Sequence, residues 1–284
     1  MLYKDLNRET QENLRKQFHN KDYMVITIPR YEPIRVYTLR ATRTLQTAKR
    51  LHAPEDADMV GKVFISALLL TSSVKHATKQ KVLLKLELEE GIIAAEADAT
   101  GKVRGFKEGF TRKPLKGTLT VIKELRLGVP FTSIVPIVSD DMKENMMFYF
   151  EQSEQVRTFV DMVVLSDSHN SIRYAGGYLV QAMGGTSKEA LEFIEQRLKD
   201  VKIGALSDNR PEVVAYEILK DMEPKIIGLK EVEYYCPCTE DIAKSSLHLL
   251  SHWELEELFD NGLAEVVCKF CKRVYKFTKE EFMV

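Results

Sequence analysis

The sequence predicts an α+β protein: an N-terminal domain of mostly antiparallel sheets with helices, a helical linker, and a small C-terminal zinc module. Three observations carry that prediction. Between residues 23 and 183, segments alternating apolar and polar residues are separated by turn residues, with few helical stripes. From 186 to 230 the apolar spacing becomes that of amphipathic helices. All four cysteines then follow Tyr235, as C-x-C (Cys236, Cys238) and C-x-x-C (Cys268, Cys271).

Residues 1–22 read as a polar N-terminal extension, with Leu2, Leu6, Leu14 and Phe18 loosely spaced for a surface helix. The core domain, 23–185, opens with two strands, "MVITIP" and "IRVYTLRA", and then two helices. The first helix begins near Arg43–Thr44. The second begins near Asp58 and carries Val60, Val63, Phe64, Ala67 and Leu68 on one stripe. "KVLLKLELE" alternates as a half-buried strand, and "GIIAAEADATGKVRGF" reads as a hairpin turning at Thr100–Gly101. "GTLTVIKEL" and "PFTSIVPIV" follow, then a helix from Asp140 or Asp141 to about Ser153. "TFVDMVVLSDSHNSIRYAGGYLVQAM" is a second hairpin, in which Gly176–Gly177 permit close strand packing.

In the linker, 186–230, Thr186 and Glu189 form a candidate capping box before "KEALEFIEQRLKD". Pro211 sits at a tolerated early position of a second helix. The stripe Leu191, Ile194, Leu198, Val214, Ile218 and Leu219 requires a surface to rest on. The remainder, 231–284, is the cysteine module.

Composition narrows the function. With 284 residues, 44% apolar and 29% charged at a net charge of -1, the chain has no global basic field for nucleic acid or anionic membrane. The N-terminal stretch is charged throughout, unlike a signal peptide. "VFISALLLTSSV" is far shorter than the ~20 residues a bilayer span needs, so it reads as a buried helix. A cytoplasmic location is expected, and there clustered cysteines point to metal or redox chemistry rather than structural disulfides.

Two close thiolate pairs brought together give four sulfur ligands at the corners of a tetrahedron, which suits one Zn²⁺ per chain. Such a shell leaves no open position for a substrate. His248 and His252, four apart in "SSLHLLSHW", are not needed as ligands once four cysteines complete it. A module this small buries too little to stand comfortably alone, and a structural zinc contributes roughly 10–16 kcal/mol. Disulfides do not replace that. Neighbour pairing closes loops of three and four residues, for about 1.5–2 kcal/mol each. Pairing across the module contributes nearer 3.5–4 kcal/mol each on the same estimate. Lys269, Lys272 and Arg273 favour thiolate locally, yet residues 236–284 hold six Lys/Arg against nine Asp/Glu. That acidic balance is unlike a nucleic-acid-binding ribbon.

At these residues the chain resembles the heat-shock protein 33 family. The likeness lies in "CPC…VVCKFCKRVYKFTKEE", "GTLTVIKELRLGVPFTSIVPIVSDDMKENMMFYFEQSEQ", "YAGGYLVQAM" and "IRVYTLRAT", in order over roughly 23–284. The resemblance implies a redox-regulated, ATP-independent holdase, with Cys236, Cys238, Cys268 and Cys271 holding zinc as thiolates in the reduced, inactive state. It implies oxidation to Cys236–Cys238 and Cys268–Cys271 disulfides, loss of zinc, and unfolding of the module and of 186–230. It further implies a homodimer when oxidised, unfolding client proteins as partners, and a DnaK-type foldase downstream. The sequence departs from the family's pattern in its N-terminal extension and in a shortened stretch between Gly105 and Gly117.

Other motifs are weaker. "KPLKGTLT" lacks P-loop spacing, and "SDSHNS" places Ser, Asp and His in a polar turn, where a triad is not expected. No enzymatic activity is expected. The competing reading is a constitutive structural zinc module in a partner- or RNA-binding protein, whose binding is indifferent to redox state. A thiol oxidoreductase is disfavoured, because no C-x-x-C opens a helix after a strand.

Overall fold

The computed structural model describes residues 8–18, 20–52, 56–74, 80–124, 129–206, 209–260 and 262–283. It divides into two compact units, Met1–Tyr234 and Tyr235–Val284. Leu2 and Leu6 of the expected N-terminal surface helix lie outside the described residues, and α1 spans Arg8–Gln17.

In the first unit the alternating segments become strands where expected. They are β1 (Asp22–Ile28), β2 (Ile34–Arg40), β3 (Lys81–Leu88), β4 (Gly91–Asp98), β5 (Lys102–Gly109), β6 (Gly117–Glu124), β7 (Phe131–Pro136), β8 (Thr158–Ser166) and β9 (Ile172–Ala182). A further strand, β10 (Lys225–Tyr234), runs across the expected boundary at 230, from the segment read as linker into the segment read as cysteine module. The ten form one sheet in the order β7-β6-β3-β4-β5-β10-β1-β2-β9-β8. Every neighbour pair is antiparallel except β10 and β5, which meet only at Glu233↔Lys102 and Tyr234↔Val103.

Helices α2 (Thr42–His52), α3 (Ala57–Leu70) and α4 (Met142–Tyr149) pack on this sheet. α3 is apolar on nearly every side and correspondingly buried, as "VFISALLL" requires. Its Phe64 ring lies against β5, where Gly105 leaves room. A Cβ on Gly105 would sit 2.6 Å from the Phe64 ring and 2.4 Å from the Ala94 carbonyl. Phe64 also stacks on Tyr234, the last residue of β10, with centroids 6.2 Å apart. Gly177 plays a similar part beside Ile65 and the Asp161 carbonyl. α4 is capped by Asp141, whose carboxylate accepts from the Lys143 N–H, and continues as a π-helical turn over Phe150–Glu154.

The stripe that needed a surface finds one. From α5 (Lys188–Asp200) and α6 (Pro211–Ile218), Ala190, Ile194, Val214, Ala215 and Ile218 are buried against Ile34, Val36, Tyr178 and Val180 of β2 and β9. The cap of α5 is Ser187, whose hydroxyl accepts from the Ala190 N–H, rather than Thr186. Thr186 instead donates to the Met183 and Pro33 carbonyls. Polar bonds fix α6 as well. The Tyr23 hydroxyl donates to the buried Glu212 carboxylate (2.7 Å), and the Thr38 hydroxyl donates to the Pro211 carbonyl (2.7 Å).

β10 carries one costly residue. Lys230 is half-buried, its Nζ donating to the Thr71 hydroxyl (2.6 Å), and desolvation brings its pKa down from 10.5 to about 8. Between those values the unfolded chain binds a proton that the folded chain does not, so this lysine's contribution to stability rises with pH across that window. Below about pH 8 its destabilising effect is present in full. Lys230→Met is expected to raise stability by about 2 kcal/mol at neutral pH, the desolvated charge outweighing the lost hydrogen bond. The gain should shrink as pH rises through 8 toward 10. Chemical denaturation of both proteins over that range measures it, and a gap independent of pH would refute it.

Candidate metal centre

The second unit is built on very little apolar surface. Its buried core is Ala243, Leu247, Phe259, Ala264, Phe277 and Phe282, drawn from α7 (Glu240–Leu247), the turn after α8 (His252–Leu258), β11 (Leu263–Val267), β12 (Val274–Thr278) and α9 (Lys279–Met283). Six residues are a small core for a fold of this length, and an additional constraint is needed to hold it.

The cysteines supply the means. Cys236 and Cys238 flank Pro237 on an extended segment that Thr239 ends by capping α7. Cys268 follows β11, and its carbonyl accepts from the Lys272 N–H (2.9 Å) while its N–H donates to the Arg273 carbonyl (2.9 Å). Lys272 takes a left-handed φ of 59°, which closes the turn and brings Cys271 back toward Cys268. All four Sγ atoms thus lie within 4.8 Å of one another, each half-buried. Cys238 Sγ lies 3.2 Å from Cys271 Sγ, and Cys236 Sγ lies 3.7 Å from Cys268 Sγ. Tetrahedral coordination with metal–sulfur bonds of about 2.3 Å requires sulfur–sulfur edges of about 3.8 Å. The donor set fits a single ion of that kind.

The surroundings bias the thiols unequally. Burial pushes Cys238 up, but hydrogen bonds from Tyr275, Cys271, Cys236 and Cys268 outweigh it and bring its pKa down to about 7. Burial and the donation of its own proton push Cys271 up to about 12. Hydrogen bonding thus acts in opposite directions on the two, favouring thiolate at Cys238 and thiol at Cys271. The Tyr275 hydroxyl donates to Cys238 Sγ (3.2 Å) and receives a bond from Arg273 (3.4 Å). Sequence reasoning placed Arg273 near the thiols as a bare charge and overlooked Tyr275. Only its place on β12, aligned by the β11–β12 ladder, marks it out.

The two histidines are not ligands here. "SSLHLLSHW" is not one helix. Ser251 caps α8 in a reciprocal box with Glu254, which separates α7 from α8. His248 ends α7 and stacks on Phe282 (4.6 Å), while His252 is exposed at the start of α8. "SDSHNS" forms no triad. Asp167 accepts from the backbone N–H of Ser171 and His169, which holds its carboxyl below the usual range.

Fold and centre together define a class: an α+β protein followed by a four-cysteine unit competent to close on one metal ion. Comparison with known proteins narrows it. The family model described as "Hsp33 protein" matches residues 22–278. The 33 kDa chaperonin of Aquifex aeolicus is 46% identical, covering 98% of this chain and 94% of its own. That of Bacillus subtilis is 32% identical, covering 92% and 96%. The crystal structure of the 33 kDa chaperonin (heat shock protein 33 homolog) of Thermotoga maritima superposes with a TM-score of 0.82 at 28% identity, covering 92% and 96%. The chain belongs to the Hsp33 family. The A. aeolicus match leaves too few residues uncovered to omit the whole 1–22 segment, so part of that extension has a counterpart there.

Proposed function

We propose that this Hsp33-family chaperone is a redox-regulated, ATP-independent holdase, zinc-bound and inactive when reduced. The observation that carries the reading is four thiols within 4.8 Å in a unit with a six-residue core. Cys236, Cys238, Cys268 and Cys271 would hold the ion. When bound, zinc supplies a closed tetrahedral anchor and no open position for a substrate.

Oxidation by peroxide or hypochlorite takes two electrons from each neighbouring pair of thiolates, forming Cys236–Cys238 and Cys268–Cys271, while the oxidant is reduced to water or chloride with protons drawn from solvent. No thiolate is then left to bind metal. Bridges across the module, Cys236–Cys268 and Cys238–Cys271, would instead keep the unit closed. Neighbour bridges constrain only three and four residues, which favours opening. In the oxidised state the module, residues 231–284, and the linker, 186–230, unfold. The protein dimerises and holds unfolding clients, and after reduction it passes them to a DnaK-type foldase. A cytoplasmic location suits this chemistry, and no helix among the described residues is long and apolar enough to cross a membrane.

The test follows metal release, helix content and suppression of client aggregation together, on adding peroxide with mild heat or hypochlorite. Release of one zinc per chain, partial loss of helix and gain of anti-aggregation activity are expected. Oxidised protein that keeps its metal and fails to suppress aggregation would sink the reading.

A further inference from the structure

The ten-stranded sheet ends at β7, and the hydrogen-bond register shows which way that edge faces. The Ile137 N–H donates to the Gly117 carbonyl (3.1 Å), just beyond the β6–β7 ladder. Because antiparallel residues alternate, Phe131, Ser133 and Val135 bond to β6, while Thr132, Ile134 and Pro136 turn their main-chain groups outward. The edge therefore offers the N–H groups of Thr132 and Ile134 and the carbonyls of Thr132, Ile134 and Pro136. No described residue bonds to them, and all three residues are exposed.

Sheet edges are normally protected by charge, bulges or proline. "FTSIVP" has no charge, its ladder has no register shift, and its one proline is the last residue. Phe131 and Ile134 are 45% and 62% exposed. The opposite edge, β8, carries Asp161, packs against α4 and has an irregular register near its end. Among the described residues, only the β7 edge is left both bare and apolar.

We propose that the β7 edge is a strand-addition site for an extended segment of an unfolding polypeptide. This names the client surface and rests on the holdase reading above. The free groups select the ligand's chemistry. Only an extended backbone presents donors and acceptors at the strand repeat, and unfolding proteins expose such segments with unpaired main chain. Recognition through the main chain is indifferent to client sequence. Ile134 adds apolar contact on one face of the added strand and Phe131 on the other. With three outward-facing residues, each contact is short and reversible.

The test uses the full chain, oxidised with hypochlorite. Its probes are a short labelled peptide of alternating valine and threonine with terminal lysines, and a counterpart N-methylated at every central amide. The first should bind at least about tenfold more tightly. Thr132→Pro and Ile134→Pro each delete an outward N–H without touching the ladder to β6, and each should weaken binding about fivefold. They should also lower suppression of aggregation of a thermally unfolding test enzyme. Should a proline variant not fold, Ile134→Lys, together with the peptide pair on the unaltered chain, carries the test.

Equal binding of both peptides, or edge variants that hold clients as well as the parent, overturns the proposal. So does a change confined to oligomeric state with peptide binding intact, which would assign the edge to contact between copies. If the unaltered oxidised chain fails to suppress aggregation yet still discriminates between the peptides, the holdase reading falls and strand addition stands.

Discussion

Cys238→Ser is expected to abolish stoichiometric zinc binding and unfold residues 235–284 while the first unit stays folded. Cys238 accepts from the Tyr275 hydroxyl, lies 3.2 Å from Cys271, and has its thiol pKa brought down by hydrogen bonds. A serine hydroxyl does not ionise at neutral pH and cannot replace a thiolate ligand. The loss is on the scale of the whole metal contribution, roughly 10–16 kcal/mol. The six-residue core cannot offset that. The first unit has its own extensive core around α3 and no cysteine. Metal analysis with limited proteolysis should show an apo protein cleaved throughout 235–284 and resistant before it. A strong chelator acting on the unaltered chain should give the same pattern. A Cys238→Ser protein that keeps both its zinc and its protease resistance would show that cysteine to be dispensable.

Phe64→Ala is expected to destabilise the first unit by about 3–5 kcal/mol, as for a buried aromatic whose surroundings cannot collapse. The tight fit at Gly105 is the reason to expect the upper part of that range, since backbone rather than a pliable side chain borders the ring. A second effect is local. Without the ring, Tyr234 loses its stacking partner, and the end of β10 is held less firmly, by its hydroxyl contacts with His52 (3.3 Å) and the Gly105 carbonyl (3.5 Å) and by its pairing with Val103. Urea denaturation gives the first quantity. Amide exchange should show the second as faster exchange at Glu233 and Tyr234 than the global loss explains. A loss under about 1 kcal/mol would mean the core refills the space.

Most of the fold was legible because its residues agree at every level. "KVLLKLEL" alternates, Thr100–Gly101 turns, and "VFISALLL" is too apolar to be anything but buried. β10 was hidden for a physical reason. Its inward positions are Ile226, Gly228, Lys230, Val232 and Tyr234, so a glycine and a lysine interrupt the apolar side of a strict alternation. Ser187 and Thr186 are equivalent as cap residues until the chain direction at Pro33 is known. Read as one helix, "SSLHLLSHW" concealed the Ser251 box that splits it. The four cysteines were legible from spacing alone, because few chemistries need two close thiol pairs. Tyr275 was not, since an aromatic on a strand gives no sign of what it faces.

The slender junction of β10 with β5 has a mechanical consequence. Load applied to the backbone beyond Tyr234 falls first on two residue pairs, Glu233↔Lys102 and Tyr234↔Val103. Beyond them β10 is held by its antiparallel ladder with β1, by the Lys230 bond to Thr71, by the Lys21–Glu231 ion pair and by Tyr234 stacked on Phe64. α3 meanwhile packs against β3, β4 and β5 on one side of that junction and β8 and β9 on the other. The strand is therefore a seam, tied on its β5 side by far fewer main-chain pairs than on its β1 side. Were it drawn out, α3 would still bridge the five strands β7-β6-β3-β4-β5 and the four strands β1-β2-β9-β8, so tension from the C-terminal side would meet β10 before it met the rest of the body.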